Sequence, residues 1–465
     1  LDSGIVDNFI TGDQIICKGF APVLLRGSDL QNTSYQWTYK EDSAAKFKTV
    51  TGIGTQYNFQ PGTLQSSTSF KRIATRFSCT DTSNTISVDV KNNGLWMGAN
   101  DAVWQVGSNW CGGLVPDTST HVLVQQGQQI MISNAYPNQS ISVKTITLDS
   151  SANIVVNGLL HWPQTLLGKG TIDATSGSIN IEKDSLIINP YVFKNKLIYT
   201  LQIDAKNKVQ FLDSLIIVNS ITLFNGSLQT KHLTLLPTAQ INSSGNNTAI
   251  IGPATVHKSY HLKEGQTKLL SFPFLNQPSL LDFKKSIRIT GKGGSSSGFD
   301  SAVHEIASAH FLDTTRDTNA LLSFSPFTKM DSSFWEQNRA IKIWLYPNDT
   351  GFINETPFIE TKKHNAWVDV SIHGIPQHGP LEINFPEHPA ARYYLTGNPY
   401  PAAIDMRKIS SSTNIGKYYW YWDAGLGATG NYTASAFRFP KIVQKLEGYI
   451  IKNNAGAAGY LFYEE

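Results

Sequence analysis

Apolar residues along this chain recur in short runs with a period near two, divided by turn-forming clusters, and almost nowhere with helical spacing. Up to residue 91 the runs are Pro22 to Leu25, Tyr35 to Tyr39, Gln56 to Phe59, Phe70 to Phe77 and Thr85 to Val90. Gly27-Ser28-Asp29 and Gln60-Pro61-Gly62 separate them, so residues 1–91 are predicted to form one β-sandwich, ending at Asn92-Asn93-Gly94. Over 92–255 the runs turn β-branched and nearly uncharged: His121 to Val124, Gln129 to Ile132, Lys144 to Leu148, Asn153 to Val156. They continue through Ser178 to Glu182, Lys208 to Leu212, Leu215 to Val218, Ser220 to Phe224 and His232 to Leu235. Their spacing falls near a rung of roughly 20 residues, which predicts a parallel β-solenoid. An antiparallel sandwich is the alternative that the irregular spacing leaves open. In a solenoid the end rungs are open sheet edges and need covering. Trp96, Trp104 and Trp110 are expected to cap the first one.

Residues 256–465 predict a further β-rich, sandwich-like domain. Its strands are expected at Lys268 to Phe274, Arg339 to Tyr346, Ala366 to Ile372, Leu381 to Phe385, Lys417 to Trp422, Gly448 to Lys452 and Gly459 to Tyr463. Ser301 to Phe311 has the composition of a helix. The fold class is therefore all-β, in two to four domains as the 465-residue length suggests.

Charge changes this picture little. Only 16% of residues are charged and the formal net charge is +3, which argues against a nucleic-acid partner. No apolar run is long enough to span a bilayer as a helix. The opening Leu1-Asp2-Ser3-Gly4 carries no basic and apolar leader pattern, so a processed or trimmed chain is expected.

Four groups of residues resemble one kind of protein, in the same order. Gln14 to Gly19, Tyr35-Gln36-Trp37 and Ser78 to Asn84 resemble an immunoglobulin-like module. Trp96-Met97-Gly98, Trp104 and Asn109-Trp110-Cys111-Gly112-Gly113-Leu114-Val115-Pro116 resemble the opening of a β-helical region. Ile289-Thr290-Gly291 with Gly298-Phe299-Asp300, and then Leu395 to Asp405 around Gly397-Asn398-Pro399-Tyr400-Pro401, resemble its C-terminal segments. Together they are similar to the secreted and surface-anchored multidomain cargo of type IX secretion in Bacteroidetes. That resemblance implies an exported protein of the cell surface or outer membrane, shown without its sorting domain. It also implies irregular or extended rather than helical structure at Ser301 to Phe311. The implied partners are cell-surface or extracellular glycans, further copies of the chain, or outer-membrane proteins. Asp-Ser/Thr triplets resemble the O-glycan acceptor motif of such proteins, making Ser43, Ser301 and Thr314 candidate attachment sites.

Cys17 and Cys79 frame Trp37 at 20 and 42 residues, close to the Cys…Trp…Cys spacing of an immunoglobulin sandwich. A Cys17–Cys79 disulfide is expected, with Cys111 left over. His257 and His261 share one face of a strand, but no third ligand follows, and His373, His378 and His388 sit among turn-forming prolines. In Tyr418-Tyr419-Trp420-Tyr421-Trp422, alternation is expected to send Tyr418, Trp420 and Trp422 to the core. Tyr419 and Tyr421 then face outward, available to a sugar. Gly291-Lys292-Gly293-Gly294 lacks the Lys-Ser/Thr pair of a phosphate loop. No catalytic residue, metal ligand or cofactor is assigned. The expected action is display and contact by an adhesin-like or structural protein. A carbohydrate-binding or polysaccharide-degrading β-helix protein, and an accessory subunit of an outer-membrane complex, are the alternatives.

Overall fold

The computed structural model of the chain describes residues 5–98, 101–244, 248–275, 279–315, 323–330, 338–347, 357–358, 364–427 and 430–464. The protein is all-β, with a β-solenoid of about six turns in its central region. Two compact units divide it, Leu1–Ile172 and Asp173–Glu465.

The first unit opens with a sandwich. Its main sheet runs Gln14–Cys17, Ile86–Lys91, Thr68–Arg76, Ser34–Glu41 and Lys48–Thr49, the first two strands parallel. The facing layer is slight: Ile10–Thr11 paired with Arg26–Gly27, and a bridge from Leu25 to Phe59. Trp37 is fully buried between them against Leu25, Phe59 and Phe70, its indole N–H donating to the Gln56 carbonyl at 2.9 Å. Arg72 is also fully buried, with Asp29 close enough to act on its charge. Its guanidinium donates to Asn8 Oδ1, Ser28 Oγ and the Tyr57 carbonyl and lies 4.3 Å from the Tyr35 ring centroid. Burial holds its pKa below the usual value.

The expected disulfide is corrected here. Cys17 is bonded to Cys111, and Cys79 is a free thiol. The space beneath Trp37 is already filled by Leu25 and the two phenylalanines, so no cystine is needed there. Cys17 closes the edge strand of the sheet, and Cys79 opens the hairpin strand Cys79–Thr82, behind the left-handed Phe77. Cys17 instead packs with Leu95, Met97, Leu123 and Cys111. The bond therefore ties the edge of the sandwich to the cap of the solenoid.

That cap forms as expected. Trp96, Trp104 and Trp110 are all buried, edge to face, with centroids 4.9 and 4.7 Å apart. Leu95 and Val103 bridge in parallel to Leu123 and Met131, continuing the first rung. The strands His121–Val124, Thr145–Leu148 and Thr165–Gly168 then stack in parallel, as do Gln129–Ile132 and Asn153–Val156. Val122 over Ile146 and Ile130 over Ile154 show why: β-branched side chains on the inward phase form buried columns. This settles the parallel solenoid against the antiparallel alternative.

In the second unit the rungs keep the period. Leu201 pairs with Ile221, which pairs with Ile241, and Val209 with Leu228, which pairs with Ile250. Phe193–Phe211 and Leu215–Gln229 are single long strands that turn corners through register shifts rather than loops. The strand Ala254–His261 lies parallel to Leu233–Leu235 on one side and antiparallel to Trp367–Gly374 on the other. The domain boundary expected at 255/256 therefore falls inside a strand that is both the last rung of the solenoid and the first strand of the C-terminal region.

The C-terminal region packs a central sheet between two others. Arg392–Gly397, Gly448–Asn453, Ile415–Asp423 and Asn431–Ala436 form the centre. One of its faces packs on Leu381–Phe385 and Gly459–Tyr463, the other on Leu269, Ala340, Leu312 and Phe324. Residues 301–308 are irregular and Ala309–Leu312 is a strand, so the helix that composition permitted is absent. Gly397 is not in the left-handed region. A Cβ there would lie 2.5 Å from Ser271 Cβ and 2.6 Å from the Glu447 carbonyl, so close approach is what requires glycine. Asn398, fully buried, pins the corner: its amide donates to the carbonyls of Ala402 and Val443 and accepts the Tyr400 N–H at 2.9 Å.

Candidate functional site

The alternation of Trp367–Gly374 places Val368, Val370 and Ile372 inward, and Trp367, Asp369, Ser371 and His373 outward. An indole on the outward phase, 63% exposed, is the anomaly of the strand. It lies opposite His261, the two ring centroids 4.7 Å apart. Both stand at a cleft of about 700 Å³, within the size range of small-ligand sites. Tyr421 and Trp422, at the end of the central strand, supply its other aromatic wall. Lys441 extends over the Tyr421 ring, 4.1 Å from its centroid.

Deeper in the cleft Lys258 and Glu447 pair at 2.7 Å. Lys258 also donates to the Lys445 carbonyl, and burial lowers its pKa against the pull of Glu447. Tyr260 donates to the Leu446 carbonyl at 3.0 Å, and burial raises its phenol far above the usual value. Behind them Lys445 donates to the carbonyls of Leu236 and Ala239; burial and then Lys258 push it down to about 7. This cluster fastens the 444–449 turn to the solenoid coil behind the cleft.

A second polar stripe runs along the outward face of the same strand pair. The Thr255 hydroxyl lies 2.7 Å from His232 Nε2 and 2.7 Å from His373 Nδ1. One hydroxyl proton serves two rings, so one imidazole accepts from Thr255 while the other donates to it. His257 shares the outward phase, opposite Ser371, as its spacing with His261 predicted. Burial lowers the pKa of His232, helped by His373, and of His257, helped by Lys445 and His373. Among the described residues no three His, Cys, Asp or Glu side chains are placed to hold a metal ion. Likewise no helix there is long and apolar enough to cross a membrane.

The residues singled out from sequence are scattered. Tyr421 lines the cleft, but Tyr419 is fully buried among Tyr394, Tyr449 and Ile451, while Tyr418 is 53% exposed. The expected placement of Tyr418 in the core and of Tyr419 outward is thus corrected. The alternation itself holds, Tyr419 and Tyr421 on one face and Trp420 and Trp422 on the other, but this sheet is packed on both faces, and five consecutive aromatics offer no polar residue to mark a solvent side. Trp420 and Trp422 are partly buried on the opposite face, as expected. Ser43 sits exposed in the turn after Ser34–Glu41, and Ser301 is exposed after Asp300. Thr314 is partly buried beside a smaller hollow lined by Phe311 and Arg339. The glycine–serine segment is a turn whose Gly293 N–H is taken by the Glu305 carboxylate at 2.9 Å. Missed were Trp367 and the cleft lysines. A tryptophan on the polar phase of a strand was the readable signal for the first.

Residues 6–92, the N-terminal sandwich, match a family described as a domain of unknown function (DUF8696). No curated protein and no solved structure matches the chain.

Proposed function

We propose that this chain is a non-enzymatic exported protein of the cell surface, adhesin-like in acting by contact, with the C-terminal cleft as its glycan-binding face. The observation that carries the reading is Trp367, a large ring held outward on a rigid strand at the mouth of a cleft walled by Tyr421 and Trp422. Aromatic faces present flat apolar area to the C–H side of a sugar ring, while the polar groups around them take its hydroxyls. The Cys17–Cys111 bond supports an oxidising compartment, consistent with export. Low charge and the polar outward phases of the solenoid suit many weak contacts with glycans or neighbouring copies.

A glycan array probed with the purified protein, followed by a reducing-sugar assay on each bound polysaccharide, tests this. Retention of at least one glycan class, lost in Trp367→Ala, is expected without release of reducing ends. Saturable cleavage of a bound polysaccharide would overturn the non-enzymatic reading.

A further inference from the structure

The cleft holds more positive charge than the chain around it answers. Lys258, Lys263, Lys268 and Lys441 line it, against two carboxylates, Asp423 and Glu447. Both carboxylates are engaged. Glu447 takes Lys258 on one oxygen and the Gln444 N–H on the other, at 2.7 and 2.9 Å, and Asp423 accepts the Gly425 N–H at 2.9 Å. Lys263 is exposed and Lys441 reaches only the face of Tyr421; neither has a carboxylate within ion-pair distance among the described residues. In a chain with a net charge of only +3, this is a local concentration. Low-dielectric walls of aromatic rings focus such a field on whatever enters. An ammonium left over an aromatic face and open to solvent is free to exchange that weak contact for an anion.

Resting on the glycan reading of the same cleft, we infer that its ligand is an anionic saccharide. Its carboxylate or sulfate groups meet the ammonium groups of Lys263 and Lys441 while a sugar ring lies against Trp367. The rings give affinity for the saccharide as such, and the lysines choose the charged one.

Titration calorimetry on the whole chain tests this with three probes of equal length: an oligogalacturonate, a sulfated chondroitin oligosaccharide and a neutral cello-oligosaccharide. Each is run at low and high salt, against the native protein, Lys263→Gln/Lys441→Gln and Trp367→Ala. At least one charged probe is expected to bind roughly tenfold or more tighter than the neutral one, and to weaken with salt. The double lysine variant removes that preference, while its thermal unfolding matches the native protein. Comparing the carboxylated with the sulfated probe identifies which anion is read. Neutral and charged probes binding equally, or the double variant keeping the preference, overturns this inference and leaves the glycan reading in place. No binding of any probe overturns this inference, and the glycan array then decides the glycan reading by itself.

Discussion

At the scale of single residues, the positions that matter most structurally are polar groups enclosed with their partners already chosen. Asn398 is the clearest: removing its amide strands two buried carbonyls and the Tyr400 N–H at once. Asn398→Ala is expected to cost about 3 kcal/mol or more, read as a fall in the urea midpoint. A midpoint within error of the native value would show that water takes over these bonds. Tyr419 and Tyr421 separate packing from contact. Tyr419→Ala empties a fully buried site and is expected to cost about 3–5 kcal/mol. Tyr421→Ala, in the cleft wall, is expected to weaken glycan retention with a much smaller loss of stability. Reversed effects in chemical denaturation would restore the outward placement of Tyr419.

Elements are held by pairs whose partners lie far apart in sequence. Cys17–Cys111 closes a loop of 94 residues between an edge strand and a solenoid cap. Cys17→Ser/Cys111→Ser is expected to lower stability by about 4 kcal/mol, and non-reducing peptide maps should join these two cysteines with Cys79 alkylated alone. In the C-terminal region, His310 and Lys342 sit opposite each other on neighbouring strands. The Lys342 ammonium lies 5.0 Å from the centroids of Phe324, Phe358 and Trp422. Burial lowers His310 to about 4, with Lys342 adding to the fall, and lowers Lys342 to about 8. The unfolded chain therefore binds the His310 proton first. Stability present above pH 6.5 is lost as pH falls toward about 4. The cost of charged Lys342 is present at neutral pH and is relieved between about pH 8 and 10.5. Lys342→Met should flatten the alkaline rise of the pH–stability curve. An unchanged rise would place its origin in another lysine, Lys445 first.

For the whole molecule, two compact units predict unfolding that is not two-state. Calorimetry should resolve two transitions, and a reductant should lower only the one belonging to the unit that holds Cys17 and Cys111. A single transition indifferent to reductant would contradict this. Far-UV circular dichroism should show a strand spectrum with little helix, since the only described α-helix is the five-residue Leu280–Lys284.

Sequence by itself determined the all-β class, the near-20-residue rung and the Trp-rich cap, because alternation and β-branched columns act between residues whose spacing is regular. His121–Val124, Gln129–Ile132 and Asn153–Val156 are strands at the bounds that pattern predicts. Tertiary structure alone decided the partner of Cys17, because the choice depended on whether the space under Trp37 was already filled. It decided the burial of Tyr419, because the sheet that carries it is packed on both faces and no local pattern marks that. It also decided the cleft, whose Lys258, Trp367, Lys441 and Glu447 come from distant segments of the chain and meet only because a solenoid rung continues into the C-terminal sheets.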